Sequence, residues 1–249
     1  MGADLDAAAS RIAAPAKAAS GDEYSLLISL YQSVQKNVRY DKDELQAMSG
    51  TSNSPASHSA YGAIINRKAV CNGFYSAFAL LAQKLGFECM VALRHSAYSL
   101  TVFSGHAWNV VKARGRFYHM DVTWDARKHD EFGEYSYEYF ALRDGEISSD
   151  YSWDKTATPA CQYNDLSYYM RNGLYANNAE QLSQAIKAHG SRQANVFRAK
   201  LSTNIPLPSN AGEYLAQRLA NEGTRFTGNI RLIHGWNDNT RCFFAKIMN

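Results

Sequence analysis

The residues of this sequence with the clearest chemical potential are a cysteine, a histidine and an aspartate, at Cys71, His106 and Asp121. Cys71 opens the stretch "CNGFYSAFALLAQKLG", which has helical spacing, and a helix N-terminus favours the thiolate form of a cysteine. A thiol enzyme needs such a nucleophile, a base that keeps it ionised and a third group that orients the base. Taken alone, a cysteine in this place is more often a buried small hydrophobe, so the argument depends on the other two residues.

His106 and Asp121 fall on the two strands of a predicted hairpin, "HAWNVVKARGRFYHMDVTWD", which turns at Arg114 and Gly115. His106 begins the first strand and Asp121 lies in the second. A loop of two or four residues puts both side chains on one face, directly or diagonally opposite, with roughly 5–8 Å between their Cβ atoms. An odd-length loop would send Asp121 to the other face. Asp121 would then set the tautomer of the imidazole and stabilise its charged form, as the carboxylate of a serine triad does.

The elements that must position these residues come in a helix-first order. "DEYSLLISLYQSVQKNVRYD" has the apolar spacing of an amphipathic helix, with Asp22 as its N-cap. A polar loop (Ser49 to Gly62) separates it from the cysteine-bearing helix, which Gly86 ends. Strands follow, at Phe87 to His95 and in the hairpin. This order predicts an α+β fold with the nucleophile helix packed on an antiparallel sheet.

The chain divides into three parts. Residues 1–20 form an alanine-rich N-terminal segment, residues 21–165 the catalytic domain, and residues 166–249 a small C-terminal α+β segment of unknown role. In the last part, the patterns predict the helices Ala179–His189 and Ala211–Asn221 and the strands Asn195–Ser202, Asn229–Ile233 and Arg241–Ile247.

The composition is that of an ordinary globular protein. The 249 residues are 46% hydrophobic and 20% charged, with a formal net charge of +3. No basic run indicates nucleic-acid binding, and no apolar run has the roughly 18–20 residues that cross a bilayer. The N-terminus lacks the pattern of an intact signal peptide. The compartment stays open between secretion or display on the cell surface, with a signal peptide already removed, and the cytoplasm.

Neither a metal nor a cofactor is expected. The sequence has no C-x-x-C or H-E-x-x-H pattern, and Walker A, G-x-G-x-x-G and G-x-S-x-G are also absent. Four cysteines are too few and too scattered for a disulfide framework. Whether Cys89, Cys161 and Cys242 are free or paired stays open.

Three motifs in this chain resemble those of the transglutaminase-like superfamily, which is related to the papain-like thiol enzymes. They are "VCNGFYSAFALLAQKLGFEC", "GHAWNVV" and "FYHMDVTWD". The resemblance runs from Tyr24 to Asp154 and is strongest to the bacterial branch. It implies a papain-like core in which Cys71 opens a helix, His106 begins a strand and Asp121 lies on the neighbouring strand, so that these three residues form the catalytic triad.

The oxyanion site is less well defined by the sequence. The backbone N–H of Cys71 is one expected donor, and Tyr61 or Asn66 is a candidate for the second. Trp108, two residues after His106, is a further candidate for the substrate or oxyanion site and for shielding the His–Asp pair from water.

The preferred interpretation is a cysteine hydrolase, a peptidase or amidase that works through a thioester acyl-enzyme on a protein or peptide substrate. Two alternatives stay open. One is a protein-glutamine transglutaminase, in which an amine takes the acyl group. The other is an inactive binding module that uses the aromatic stretch Tyr135–Trp153. The oligomeric state is not predicted.

Overall fold

The computed structural model describes residues 2–18, 21–47, 54–94, 105–191, 195–223 and 231–248. The chain divides into two compact units, Met1–Asn164 and Asp165–Asn249. All three residues of the predicted triad lie in the first unit.

Several helices of the first unit pack against α4, the helix that begins at Cys71. Asp22 accepts a hydrogen bond from the backbone N–H of Ser25 and so caps α2, as predicted. The inner face of α2 buries Leu27, Leu30 and Tyr31. The bounds are α1 Gly2–Ala18, α2 Glu23–Asn37, α3 Lys42–Ala47, α4 Cys71–Lys84, α5 Val122–Phe132 and α6 Asp144–Ile147, with a 3-10 turn at Pro55–His58 and a π-helical turn at Gly62–Asn66.

The alanine-rich N-terminal segment forms α1. Its buried alanines, Ala9 and Ala16 among them, present a smooth face that packs on α2. Lys84 near the end of α4 donates to Asp6 and Ser10 of α1. This segment therefore packs within the first unit.

The sheet of the first unit is antiparallel, in the order β3-β4-β5-β6. The predicted hairpin turns at Arg114 and Gly115, whose φ angles of 51° and 76° suit a two-residue turn between strands. Asn109 pairs with Met120, which is the register of a two-residue loop. The α+β prediction is confirmed. The strands are β1 Arg39–Tyr40, β2 Lys68–Ala69, β3 Cys89–Leu93, β4 Ala107–Ala113, β5 Arg116–Met120 and β6 Phe140–Leu142; β1 and β2 form a separate parallel pair.

The second strand of the hairpin was predicted to run through Asp121, and this was wrong. β5 ends at Met120, and Asp121 is the N-cap of α5, where its side chain accepts from the backbone N–H of Thr123. The β-branched and aromatic residues after Asp121 favour a strand locally. The cap and the contacts of Asp125, described below, outweigh that preference. Likewise β4 begins one residue after His106.

The first turn of α4 is held close to the chain before it. A Cβ on Gly73 would lie 2.6 Å from the Cβ of Ala69 and 2.6 Å from the backbone oxygen of Ser57. Val70 donates its N–H to that same oxygen of Ser57. A glycine is needed there because the helix start and the 3-10 turn approach so closely.

The second unit contains a four-stranded sheet in the order β7-β8-β10-β9. Its core includes Phe197, Leu215, Leu219 and Phe243. The first residues of the strand predicted at Asn229–Ile233 lie outside the described residues, as does His95 in the first unit. The bounds are α7 Tyr168–Arg171, β7 Tyr175–Ala176, α8 Ala179–Ser191, β8 Val196–Leu201, α9 Ala211–Glu222, β9 Arg231–Asn237 and β10 Cys242–Met248. In the described ranges, no helix combines the length and the apolar character that crossing a membrane requires.

Candidate active site

Cys71 is the first residue of α4. Val70 before it provides no side-chain cap, so the first N–H groups of the helix are left for other acceptors. The thiol is free and half-buried, and its Sγ lies 3.7 Å from Oδ1 of Asn72. The thiol thus lies at the N-terminus of α4, the positive end of the helix dipole.

His106 is bonded to Asp121 through Nε2, which lies 2.6 Å from Oδ2 of the carboxylate. The ring nitrogen left for a hydrogen bond with Cys71 is therefore Nδ1. Burial by itself favours the neutral imidazole, but the Asp121 carboxylate and Cys71 both favour the charged ring, and together they raise the pKa of His106 to about 10. At neutral pH this imidazole is protonated, as a thiolate–imidazolium pair requires.

Asp121 is fully buried and held from several sides. Oδ1 accepts from the N–H of Thr123, and Oδ2 accepts from His106 and from the hydroxyl of Tyr151 at 3.0 Å. The backbone oxygen of Asp121 accepts from the hydroxyl of Tyr31. These bonds satisfy a buried charge and set the direction in which it faces His106.

Asp125 holds the first turn of α5 in place. Its carboxylate accepts hydrogen bonds from Tyr31, Ser136 and the backbone N–H groups of Glu138 and Tyr139. Burial and the charge of Glu138 raise its pKa to about 6, so the group is an acceptor-only carboxylate at neutral pH. Four donors hold α5 at the end that carries Asp121.

Trp108 is buried and packs against His106 and Tyr151. It is 1% exposed, and its ring stacks on His106 at 6.1 Å and on Tyr151 at 4.8 Å. Its indole N–H donates to Nδ1 of His119 at 2.9 Å, so it is not available to a carbonyl oxygen. The side chain shields the His106–Asp121 pair from water.

A second group of ligand-type residues lies behind Trp108. His119, Asp144 and Cys161 have ligand atoms within 4.8 Å of one another. An indole nitrogen can only donate, so Nδ1 of His119 accepts and Nε2 carries the proton that it gives to Asp144 at 2.8 Å. Burial lowers the pKa of His119. The neutral ring thus has no free lone pair for a metal ion, and the group is best described as a hydrogen-bond network that orients Trp108.

The two oxyanion candidates lie on the chain before Cys71. Tyr61 is half-buried at the start of the π-helical turn. Asn66 lines a cavity of about 210 Å³, together with Asp41, Glu44 and Lys68. In the described part of the chain, Cys71 does not line that cavity.

Several residues of this site carried no usable signal in the sequence. Tyr151 bonds to Asp121 from 30 positions further along the chain. The sequence contains many tyrosines, and no local pattern distinguishes this one. Trp124 and Arg127 reach the site because α5 exists, and that helix was not predicted. Asp121 is followed by Thr123 and Asp125, and this pattern was the one local indication of an N-cap.

Residues 10–122 match the model of the transglutaminase-like superfamily. Over that span, the chain is similar to the transglutaminase-like superfamily. The matched segment contains Cys71, His106 and Asp121. No curated protein matches the chain.

Two solved structures are similar to about half of this chain. One is the crystal structure of a TGase, 18% identical with a TM-score of 0.42, covering 48% of this chain and 31% of that one. The other is a protein from Cytophaga hutchinsonii described as a cysteine protease, 22% identical with a TM-score of 0.35, covering 48% of this chain and 37% of that one. This chain spans about a third of the length of these two proteins.

Proposed function

We propose that this protein is a thiol hydrolase that cleaves peptide or other amide bonds with Cys71, His106 and Asp121. One observation carries the proposal: His106 is bonded through Nε2 to the Asp121 carboxylate, and the charges of Asp121 and Cys71 both favour its protonated form. The match of residues 10–122 to the transglutaminase-like superfamily supports a thiol enzyme of this kind.

The reaction begins with attack of the Cys71 thiolate on the carbonyl carbon of the amide. The carbonyl electron pair moves to oxygen, where the N–H of Cys71 donates to it; Tyr61 or Asn66 is proposed as the second donor. As the pair returns, the C–N bond breaks and His106 gives its Nδ1 proton to the departing amine. A thioester to Cys71 and a neutral His106 remain.

Water completes the cycle. His106 takes a proton from a water molecule as the water oxygen attacks the thioester carbon. The C–S bond then breaks, which releases the carboxylic acid and restores the thiolate–imidazolium pair. An amine in place of water would yield a new amide, so the acceptor alone separates a hydrolase from a transglutaminase.

The test is product analysis on a mixed peptide library, with and without a biotinylated primary amine. We expect new peptide termini from the wild-type protein and from Cys89→Ala, which removes the other half-buried thiol. Cys71→Ala should yield none. Biotin adducts would instead support acyl transfer, and equal cleavage by Cys71→Ala would contradict the proposal.

A further inference from the structure

The guanidinium of Arg127 lies between two aromatic rings, one of which contacts His106. Its Cζ is 4.9 Å from the ring centre of Tyr40 and 4.5 Å from the ring of Trp124. Stacking on ring faces restrains a planar guanidinium and leaves its edge, with the N–H donors, free to bind. The orientation of this donor edge is therefore set before any ligand arrives.

Each of the two rings connects Arg127 to a triad residue. The ring of Trp124 meets that of His106 edge-on, with 6.4 Å between the centres. Tyr40 pairs with Ala69, two residues before Cys71. Burial raises the pKa of Tyr40, the Cys71 charge raises it further, and the Arg127 charge lowers it. Arg127 is therefore linked to His106 through the ring of Trp124, and to the strand before Cys71 through the ring of Tyr40.

The positive charge of Arg127 has no acidic partner within the described residues. Two acidic residues, Asp130 and Glu131, lie one turn further along α5, and Asp130 is already bonded to Arg39 and to the backbone N–H of Tyr40. Arg218, which also lies over a tyrosine ring, differs because it is paired with Glu222. A half-buried arginine is normally paired. Within the described residues, none of the buried side-chain nitrogens that lack a hydrogen-bond partner belongs to Arg127. The N–H groups of Arg127 are therefore accessible to a ligand.

We propose that Arg127 binds a carboxylate of the acyl donor next to the scissile amide, so that the substrates are acidic peptides. This inference rests on the proposed function of Cys71. A carboxylate accepts two parallel N–H bonds from the guanidinium edge, which gives both charge and geometric selectivity. The carboxylate can come from an acidic side chain or from a free C-terminus, because both present the same group.

The first test compares two alkylating agents of one size, anionic iodoacetate and neutral iodoacetamide. Each reagent forms a C–S bond at Cys71 and loses iodide, so no substrate is needed. Arg127→Gln should lower the iodoacetate-to-iodoacetamide rate ratio by at least about threefold, the scale of a partly exposed charge pair. Arg11→Gln removes the same charge from α1 and should leave the ratio unchanged. Arg127→Lys keeps the charge without the fork and should give an intermediate ratio.

The outcomes separate this inference from the proposed function. Normal alkylation by both reagents, with the same ratio in wild type and Arg127→Gln, would overturn the role of Arg127 and leave the thiol enzyme intact. A thiol unreactive to both reagents would overturn the proposed function and the carboxylate site with it.

The second test identifies the source of the carboxylate by protection of Cys71 from iodoacetamide. The probes are N-acetylglutamate α-amide, with a side-chain carboxylate, N-acetylmethionine, with a terminal carboxylate, and N-acetylmethionine amide, which is neutral. At least one acid should protect better than the neutral amide, and Arg127→Gln should abolish the difference. Equal protection by all three in the wild type would contradict the proposal.

Discussion

At the level of single residues, His106 is the group whose charge depends most on its neighbours. Its pKa is raised from 6.5 to about 10, so the folded protein holds a proton that the unfolded chain releases. The resulting stabilisation is complete below pH 6.5 and is lost as the pH rises through 10. The source of that stabilisation is chiefly the charge of Asp121.

Asp121→Asn should therefore show a pH-dependent loss of stability. Asparagine is as good an N-cap as aspartate, so α5 keeps its cap while His106 loses its counter-charge. We expect the wild-type advantage in unfolding free energy to be largest at pH 6 and to shrink towards pH 10, in urea denaturation at both values. Asp150→Asn, which removes a carboxylate bonded to Tyr139, should give a difference that does not vary over this range. A difference in unfolding free energy between the wild type and Asp121→Asn that did not vary with pH would contradict the charged His106–Asp121 pair.

Tyr151→Phe tests the support of Asp121 from the other side. The variant keeps the ring that stacks on Trp108 and removes the hydroxyl that donates to Oδ2 of Asp121. A hydrogen bond to a buried charge is worth about 1.5–3 kcal/mol, and we expect the unfolding free energy to fall by that amount. Tyr139→Phe, whose hydroxyl donates to the half-buried Asp150, should cost less. Equal losses in the two variants would show that the bond to the buried Asp121 carboxylate is worth no more than the bond to Asp150.

At the level of elements, the start of α4 depends on a residue without a side chain. Gly73→Ala would place a Cβ 2.6 Å from the Ser57 backbone oxygen, so helix and turn must separate. We expect a loss of about 1–3 kcal/mol in unfolding free energy and slower alkylation of Cys71. Gly145→Ala in α6 meets nothing within 4 Å, and its effect should stay within about 0.5 kcal/mol. A neutral Gly73→Ala variant would show that this close approach is not needed.

The sequence predicts the elements well where one signal dominates. Capping by Asp22, the helical spacing after Cys71 and the turn at Arg114 and Gly115 each agree with the structure. Prediction fails at α5 because two signals conflict there. Val, Thr and Trp after Asp121 favour a strand, and only the buried contacts of Asp125 with distant residues decide for a helix. Such long-range contacts cannot be derived from local pattern.

At the level of the whole molecule, the family match and the structural units differ in extent. The match ends at residue 122, whereas the first compact unit continues to Asn164 and includes Tyr151 and Arg127. The prediction of Cys71, His106 and Asp121 as a triad came from spacing and resemblance, and the structure bonds His106 to Asp121. Tyr151, which bonds to Asp121, and Arg127 lie beyond the motifs and were not predicted. The unit from Asp165 to Asn249 lies outside the match.

The most direct measurement is the rate of Cys71 alkylation by iodoacetamide at pH 6 and pH 8.5, in the wild type and in His106→Ala. For an ordinary thiol with a pKa of about 8.5, the thiolate fraction at pH 6 is roughly 150-fold lower than at pH 8.5. If His106 holds Cys71 as a thiolate, the wild-type rate should change by less than about tenfold, and His106→Ala should show the full decline. A wild-type rate that falls as steeply as that of His106→Ala would contradict the catalytic pair.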